Sequence, residues 1–376
     1  MKLIDFPIHD AHLPFQNYIE GCRHIIEEGR LDIQQNPAQA PMIVEANCPF
    51  ELKPEDAPTG KKYRYGVLLI HGLFDSPFSL KDIGLALRKH GIFSQALLLP
   101  GHGTHPRDLI SVSYQQWIKA MRYGLASLRK QAEKIYLIGY STGASLSVYQ
   151  ALQDPDIAGV ILLSPAIKIK IPINLVVGWQ YFSKWLGRDK QWAVQEEEID
   201  YVKYSSIPFN PIYQVEALTH VVRDLYSRTI FRTPVFMAVS REDETISSDR
   251  AIQFFSNLPN PKSKMLLYTA YERTYPDKRI LTCSMTSFNK SIRHLSHISL
   301  PFTSENPHYG ICGDFPFASR LNQSKMVYGA YNLVEISAFE MLYKVGLSNQ
   351  KRRILTYNPD FPNMMQQIIK FILQDT

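Results

Sequence analysis

The sequence predicts an α/β protein with a mostly parallel sheet that carries helices on both faces. Two observations support this prediction: short apolar runs that end near a glycine, and helical hydrophobic periods that follow them in turn. Strands that alternate with helices form crossover units, which lay the strands parallel in one sheet. The clearest run is Gly66–Gly72, whose unbroken apolar character suits a strand buried on both faces.

We expect two parts along the chain: an N-terminal extension over residues 1–60 that packs on the core, and a domain over residues 61–376. The extension has a predicted helix at Phe15–Glu28 and a predicted strand at Met42–Ala46. The later predicted strands are Gly66–Gly72, Ala96–Leu99, Ile135–Gly139, Gly159–Leu163, Pro234–Ser240, Lys264–Tyr268 and Arg279–Ser284. The first later helix is predicted to follow the strand Gly66–Gly72 and to end at Lys89. Three more helices are predicted at Tyr114–Lys130, Thr142–Leu152 and Met364–Leu373.

An insertion at about 165–232 interrupts this alternation. Its stretch IKIKIPINLVVGWQYFSKWLG mixes aromatic, lysine and apolar residues, and we expect it to be mostly helical. Two interpretations stay open: a packed cap, or a surface that contacts lipid or a long-chain substrate. Residues 270–322 form a second unusual region, a long polar loop of the kind that often carries function.

Composition excludes several classes of protein. The 376 residues are 45% hydrophobic and 20% charged, which is typical of a globular chain with a large core. The net charge of +6 comes from dispersed residues, so we expect no nucleic-acid partner. The N-terminus has no apolar signal-peptide core, and no window reaches the length of a membrane span. We therefore expect a cytoplasmic protein, with export by another route left open.

The cysteines and histidines argue against a metal site. Four cysteines, none in a CxxC pair, are too few for a disulfide scaffold or a zinc site; they are Cys22, Cys48, Cys283 and Cys312. A Cys283–Cys312 bridge stays open. His294 and His297 have an i, i+3 spacing, but no carboxylate or cysteine nearby completes a metal site, so we predict none.

The strongest chemical signal is the GxSxG motif Gly139-Tyr-Ser-Thr-Gly143, between a predicted strand and a predicted helix. A serine on such a tight turn projects its hydroxyl from the carboxyl edge of the sheet, and the small glycines let the chains approach closely. The following helix N-terminus offers N–H groups to an anion. We predict that Ser141 is a nucleophile, the alternative being a helix-capping serine.

A serine nucleophile needs a base and an acid, which in this arrangement follow it in the chain. Asp243, just after the strand PVFMAVS, is the predicted acid, with Glu242 and Glu244 as solvated neighbours. His297 in the long loop is the predicted base, and His294 is the second candidate.

The oxyanion of such a reaction needs two backbone donors. We expect them at Thr142, directly after the nucleophile, and at Leu73 in the loop His71-Gly-Leu-Phe74, with Phe74 as the second choice there. His71 precedes the nucleophile, so we expect it to be a structural hydrogen-bonding residue rather than the base.

These residues resemble the α/β-hydrolase superfamily, and within it the monoacylglycerol lipase, lysophospholipase and carboxylesterase group. Four segments carry the likeness, which covers about residues 65–300: LLIHGLFDSPFSL at 68–80, LLLPGHGTHPRDL at 97–109, LIGYSTGASL at 137–146 and VSREDETI at 239–246. Two features depart from the group: Ala144 stands where a second glycine is common, and the stretch before the histidine is longer.

The resemblance implies an eight-stranded, mostly parallel sheet with a helical cap, and hydrolysis of carboxylic esters through an acyl-enzyme without a cofactor. It matches Ser141, Asp243 and His297 to a catalytic triad, and Leu73 and Thr142 to the oxyanion donors. A small-molecule acyl ester or lipid is the implied substrate, and the composition of the insertion leaves peripheral membrane contact through the cap open. Phe74, Tyr140 and Trp179 are the candidates for substrate contact.

Other functions remain compatible with the sequence. A thioesterase, amidase or acyltransferase can use the same triad. A protein of this fold that binds without catalysis usually lacks one triad member, whereas all three residue types are available here. The acyl chain, the alcohol and the oligomeric state are not readable from the sequence.

Overall fold

The computed structural model describes residues 6–7, 13–56, 60–170, 191–271, 273–320, 325–331, 340–341, 343–344, 348 and 350–374. The chain divides into two compact units. The first contains Met1–Val160 and Ile171–Thr233, and the second contains Ile161–Lys170 and Pro234–Thr376. Eight strands form the main sheet, as the family resemblance implies, and the boundary between the units falls within its fifth strand.

The first unit has its strands in the spatial order β1-β3-β2-β4-β5. Their bounds are Phe50–Leu52 (β1), Tyr63–Ile70 (β2), Phe93–Leu97 (β3), Ala132–Tyr140 (β4) and Ile157–Leu163 (β5). Strand β2 pairs in parallel with both β3 and β4, whereas β1 is antiparallel to β3 at the edge. Only Arg64 of β2 is exposed, so this strand is buried on both faces, as its apolar run predicts.

Seven helices lie in the described part of the first unit. They are Phe15–Gly29 (α1), Leu31–Gln35 (α2), Ala40–Asn47 (α3), Lys81–Arg88 (α4), Tyr114–Gln131 (α5), Thr142–Gln153 (α6) and Phe209–Arg228 (α7). A short antiparallel pair, Trp192–Val194 (β6) and Ile207–Pro208 (β7), precedes α7. Helix α5 packs on β2, β3 and β4, and its contact side is apolar because Trp117, Met121 and Leu128 recur at helical spacing.

The second unit continues with the order β5-β8-β9-β10, where β8 is Val235–Ser240, β9 is Lys264–Thr269 and β10 is Ile280–Ser284. Strand β9 pairs in parallel with both β8 and β10. The α-helices of the second unit whose bounds the structure describes are Ser248–Ser256 (α8) and Phe361–Leu373 (α9). A second parallel pair, Met326–Gly329 (β11) and Lys351–Ile354 (β12), was not predicted.

The predicted alternation of strands and helices is confirmed from residue 66 onward, but the strand predicted at Met42–Ala46 is wrong. These residues lie in helix α3. Pro41 stands in the first turn, where its fixed φ favours a helix, and it needs no partner for the N–H that it lacks. Ile43 and Val44 are buried in α3, and the Asn47 side chain donates to the carbonyl of Ile43.

Strand β3 begins at Phe93, three residues before the predicted start. The prediction missed the first three residues of the strand because Ser94 and Gln95 are polar, and polar residues weaken the apolar pattern that indicates a buried strand. Both are buried, and the Gln95 amide donates to the Glu51 carboxylate at 2.8 Å on the neighbouring strand. A polar pair across the sheet edge therefore replaces the apolar packing that the prediction relied on.

The N-terminal extension makes specific contacts within the first unit. The hydroxyl of Tyr18 in α1 donates to the Leu98 carbonyl at 2.7 Å and accepts from the Leu98 amide at 3.1 Å. The division into an extension and a domain at residue 61 stays a prediction. Of the predicted insertion, residues 171–190 lie outside the described part, and the remainder contains β6, β7 and α7.

The four cysteines are unbridged, so the Cys283–Cys312 pair that the sequence left open does not form in this structure. Among the helices of the described residues, none has the length and apolar character needed to cross a membrane.

Candidate active site

Ser141 occupies a strained turn between β4 and α6. Its φ is 53° and its ψ is −111°, a conformation that costs a non-glycine residue about 1–3 kcal/mol. The side chain is buried except for 9% of its surface. Thr142 is the first residue of α6, so the positive end of the helix dipole lies directly behind the serine.

The two glycines of the motif are required by close backbone approach. A Cβ on Gly143 would overlap the carbonyl oxygen of Ile70, at the end of β2. A Cβ on Gly139 would overlap the backbone of Gly143. The turn therefore brings the start of α6 against the end of β2, and any larger residue at either position would displace Ser141.

The loop after β2 lies beside the serine. A Cβ on Gly72 would be 3.2 Å from the Ser141 Cβ and 3.3 Å from the Tyr140 ring, so this loop passes close to the turn. Phe74 has a φ of 60°, and its N–H donates to His102 Nε2 at 3.2 Å. Among the residues that the structure describes, neither Leu73 N–H nor Thr142 N–H has a hydrogen-bond partner. Leu73 and Thr142, rather than Phe74, thus have the amides available for an anion.

His71 and His102 are buried and hold backbone in place. His71 Nδ1 donates to the Gly72 carbonyl at 2.8 Å, and its Nε2 accepts from Leu99 N–H at 3.0 Å. Burial lowers the pKa of each imidazole to about 3, so both rings are neutral near pH 7. This arrangement agrees with a structural role for His71. His102, in the segment PGHG, has a similar role that the sequence reasoning did not assign.

Lys203 and Tyr204 also reach this loop, and nothing in the sequence pattern singled them out. Lys203 Nζ forms an ion pair with the Asp75 carboxylate at 2.6 Å. The N–H of Tyr204 donates to the Phe74 carbonyl at 2.8 Å. Both residues are about 130 positions from the loop, so no local sequence signal could have shown these contacts.

In the second unit, Asp243 and His297 form a hydrogen-bonded pair. His297 Nδ1 lies 2.8 Å from Asp243 Oδ2, and both side chains are buried. Asp243 Oδ1 accepts from the amides of Thr245 and Ile246, each at 2.9 Å. The loop after β8 therefore fixes the carboxylate, and the carboxylate holds the imidazole with its Nδ1 as donor.

The surroundings of Asp243 favour its charged form. Burial raises the pKa of Asp243, but the charge and hydrogen bond of His297 and the amides of Ile246 and Thr245 outweigh burial. The pKa consequently lies below its ordinary value, and the group is a carboxylate near neutral pH. A permanent negative charge beside an imidazole stabilises the imidazolium that forms when the imidazole accepts a proton.

Glu244 is a neighbour of different character from the solvated charge that the sequence suggested. Its carboxylate is half-buried and accepts the His297 backbone N–H, with its two oxygens at 3.0 and 3.2 Å. Burial and the charge of Asp243 raise the pKa of Glu244 to about 7. Glu242 is also half-buried, and burial raises its pKa. Neither Glu242 nor Glu244 is therefore a fully solvated surface charge.

His294 has other contacts. Its ring meets the Tyr331 ring edge-on at 5.7 Å between centroids, and its Nδ1 lies against Gly329 of β11. Asp243 is hydrogen-bonded to His297 instead.

The candidate substrate-contact residues have different surroundings. Phe74 is half-buried in the strained loop, and Tyr140 is 97% buried beside Gly72, with Lys203 Nζ 5.5 Å from its ring centroid. Trp179 lies outside the described residues. Among the residues that are described, no three His, Cys, Asp or Glu side chains group together in a way that could hold a metal ion.

Comparison with known proteins gives one family match. Residues 61–272 match the family model Hydrolase_4, described as serine aminopeptidase, S33. The matched range includes Ser141, the loop after β2 and Asp243.

Two curated relatives are similar over part of the chain. The thermostable monoacylglycerol lipase of Bacillus sp. (strain H-257) is 24% identical over 54% of this chain and 79% of the relative. The carboxylesterase of Bacillus subtilis (strain 168) is 21% identical over 54% of this chain and 81% of the relative. Among solved structures, a soluble variant of the monoglyceride lipase from Saccharomyces cerevisiae has a TM-score of 0.49 at 15% identity. That match covers 59% of this chain and 81% of the yeast chain.

Proposed function

The chain belongs to the serine aminopeptidase S33 family (Hydrolase_4) of α/β-hydrolases, and we propose that it cleaves carboxylic esters of acylglycerol or lysophospholipid type. The chain is thus a serine hydrolase with the fold that its sequence resembles. The single observation that carries the proposal is the backbone at Ser141, a non-glycine residue at a φ of 53° between a buried strand and a helix start. Such strain is kept where a nucleophile must project.

In the proposed acylation step, Ser141 Oγ attacks the ester carbonyl carbon while His297 accepts the hydroxyl proton. Asp243 holds His297 in the tautomer that leaves Nε2 able to accept, and it stabilises the imidazolium. The N–H groups of Leu73 and Thr142 bind the oxyanion of the tetrahedral intermediate. His297 then gives its proton to the leaving alkoxide, which departs as the alcohol and leaves an acyl-enzyme.

Deacylation repeats these steps with water as the nucleophile. His297 takes a proton from water, the hydroxide adds to the acyl carbonyl, and the same two amides bind the new oxyanion. Collapse of this intermediate breaks the bond to Ser141 Oγ, which regains the proton from His297, and the carboxylic acid leaves.

For the substrate, we propose a medium or long acyl chain. This finer proposal rests on the apolar and aromatic composition of residues 171–186 in the insertion and on the names of the two Bacillus relatives. The same composition supports peripheral contact of the insertion with a lipid surface. Phe74, Tyr140 and Trp179 remain the proposed substrate-contact residues.

Labelling with a fluorophosphonate probe tests the nucleophile directly. We expect the wild type to be labelled and Ser141→Ala to be unlabelled, because the probe reacts with an activated serine and mimics the tetrahedral intermediate. His297→Ala should label slowly. Circular dichroism of each variant checks its fold. Labelling that persists in a folded Ser141→Ala variant, or a folded wild type that never reacts, would contradict the proposal.

A panel of acyl donors tests the reaction class. We expect p-nitrophenyl esters with acyl chains of eight or more carbons to be cleaved with higher kcat/KM than the acetate ester. Trp179→Ala should lower the long-chain value more than the acetate value. A family named for aminopeptidases calls for amino-acyl p-nitroanilides in the same panel, with thioesters and alcohol acceptors beside them. Faster turnover of any of these than of the esters would replace the ester proposal.

A further inference from the structure

Residues 200–204, which we call the anchor segment, lie in the part of the insertion that the structure describes. Their shape is set locally: the Asp200 carboxylate accepts the amides of Val202 at 2.9 Å and Lys203 at 3.3 Å. Such a side-chain turn orients the two residues that follow it. The anchor segment also contacts α3, because the Asn47 amide donates to the Tyr201 carbonyl at 2.7 Å.

Lys203 holds the side of the loop that follows Phe74. Its Nζ is 2.6 Å from Asp75 Oδ1 and donates to Ser79 Oγ at 2.9 Å, and Ser79 Oγ donates to the same carboxylate oxygen at 2.6 Å. The side chains of Lys203 and Asp75 are only 16% and 2% exposed. The ammonium group also lies 5.5 Å from the Tyr140 ring centroid, one residue before the nucleophile.

Tyr204 holds the loop from its backbone and the neighbouring turn from its side chain. Its N–H donates to the Phe74 carbonyl at 2.8 Å. Its hydroxyl accepts from Thr104 N–H at 2.8 Å and donates to the Gly101 carbonyl at 3.3 Å. Its ring stacks on His102 with an interplanar angle of 6° and centroids 6.3 Å apart, and His102 accepts the Phe74 N–H.

The strained Phe74 is therefore held on both of its peptide groups, one by His102 and the other by Tyr204. A φ of 60° at a bulky residue persists only where the surroundings over-determine it. The preceding residue, Leu73, has the N–H that the proposed reaction uses, and no other described residue accepts a hydrogen bond from it. An oxyanion donor must be held to a fraction of an ångström, since a shift of about 1 Å can cost about 100-fold in rate.

We propose that Lys203 and Tyr204 are positioning residues, which hold residues 72–75 so that Leu73 N–H faces the oxyanion. This inference rests on the proposed function. Neither residue touches the substrate in the proposed mechanism; they act through Asp75, Phe74 and His102. The anchor segment thus affects the rate of the chemical step through the position of the loop, without contact to the substrate.

Kinetics of Lys203→Met test the inference. Removal of the ammonium leaves a buried carboxylate without its cation, which forces the loop to move toward solvent. We expect kcat for a soluble ester to fall about 10- to 100-fold with KM changed less than about 3-fold, because the moved loop takes Leu73 N–H away from the oxyanion, which exists only in the transition state and the intermediate. Lys203→Arg should recover most of the rate. Lys119→Met, at an exposed lysine on α5, is the matched control and should leave kcat unchanged.

Two further readouts separate positioning from a general loss of structure. The inhibition constant of a boronic acid, which mimics the tetrahedral intermediate, should rise in parallel with the loss of kcat/KM. Amide hydrogen exchange of the peptide that covers residues 72–76 should speed up in Lys203→Met while that of β2 stays slow. Tyr204→Phe keeps the ring and removes only the hydroxyl, so it provides a milder variant if Lys203→Met folds poorly; it should show the same pattern.

The outcomes are distinct from those of the proposed function. A wild type that cleaves esters, together with a folded Lys203→Met of unchanged kcat or a change in KM alone, overturns the inference and leaves the proposed function intact. A wild type that is inactive and unlabelled overturns the proposed function. In that case faster exchange at residues 72–76 in the variant still supports the positioning contact, and unchanged exchange overturns it.

Discussion

Two residues of the proposed site have unusual backbone conformations: Ser141, the proposed nucleophile, and Phe74 in the loop after β2. Ser141 and Phe74 have φ angles of 53° and 60°, where side chains with a Cβ are disfavoured. Each costs about 1–3 kcal/mol, which the neighbouring contacts must offset. Glycines 139 and 143 avoid a separate steric overlap, because a Cβ at either position would run into backbone atoms. The motif is thus a packing requirement as much as a chemical one.

Gly143→Ala should destabilise the protein much more than Gly91→Ala. At Gly143 the new methyl group overlaps the Ile70 carbonyl, whereas at Gly91, with a φ of 73°, no atom lies within 4 Å and only the backbone strain remains. We expect losses in the free energy of unfolding of more than about 3 kcal/mol and about 1 kcal/mol, respectively. Urea unfolding of both variants measures this, and equal losses would contradict the packing argument.

The histidine pair offers a matched test of the base. His297→Ala should lower kcat by about 10⁴-fold or more, because the imidazole that accepts the serine proton is gone. His294→Ala, three residues away and packed on Tyr331, should keep kcat within about 3-fold. Steady-state ester hydrolysis compares them. A large loss in His294→Ala with an active His297→Ala would exchange the two roles.

Among the secondary-structure elements, three strands end just before residues of the proposed site, namely Leu73, Ser141 and Asp243. In the first unit, β2 and β4 are parallel neighbours whose last residues are in register, with Ile70 opposite Gly139. The loop with Leu73 and the turn with Ser141 therefore leave the sheet at the same edge. In the second unit, Asp243 follows the end of β8. Parallel strands place their carboxyl ends together, which is why such sheets bind ligands there.

Helix α1 should contribute stability to the segment after β3 through a single hydroxyl. Tyr18→Phe removes the partner of both the N–H and the carbonyl of Leu98 in a fully buried place. We expect a loss of about 1–3 kcal/mol in the free energy of unfolding. Tyr271→Phe, at a side chain that is 71% exposed, is the control and should change it by less than about 0.5 kcal/mol. A neutral Tyr18→Phe would show that α1 is not coupled to this segment.

For the whole molecule, buried histidines should make the protein sensitive to acid. Burial lowers the pKa of His71 and of His102 from 6.5 to about 3, so the unfolded chain binds protons at these residues before the folded chain does. The free energy of unfolding should therefore fall as the pH drops from about 6.5 to 3, by up to about 1.4 kcal/mol per pH unit for each histidine.

Denaturant titrations at several pH values measure this slope. His102→Gln should show a shallower decline than the wild type over that range. Glu244 works in the opposite direction: its pKa is raised from 4.5 to about 7, so its contribution is present at low pH and is lost as the pH rises through 7. An identical slope in His102→Gln would contradict the buried neutral imidazole.

Local signals explain most of what could be predicted. The apolar run at Gly66–Gly72, the GxSxG motif between a strand and a helix, and the acidic loop after β8 each lie within a few neighbouring residues. Such signals depend on side-chain periodicity and backbone sterics, which act at short range. These signals gave a wrong prediction at Met42–Ala46, where Pro41 in the first turn favours a helix. They also missed Ser94 and Gln95 of β3, where the buried Gln95 pairs with Glu51 on the neighbouring strand.

The sequence by itself determined the alternating α/β fold, the strand-to-helix turn at Ser141 and the family of the chain. Only the tertiary structure decided which histidine is hydrogen-bonded to Asp243, that His102 accepts the Phe74 N–H while Leu73 N–H has no partner among the described residues, and that Lys203 and Tyr204 hold the 72–74 loop. The Asp243–His297 pair spans 54 positions in the chain, and the Asp75–Lys203 pair spans 128. Contacts over such separations depend on how strands and helices pack, and local residue pattern does not encode that packing.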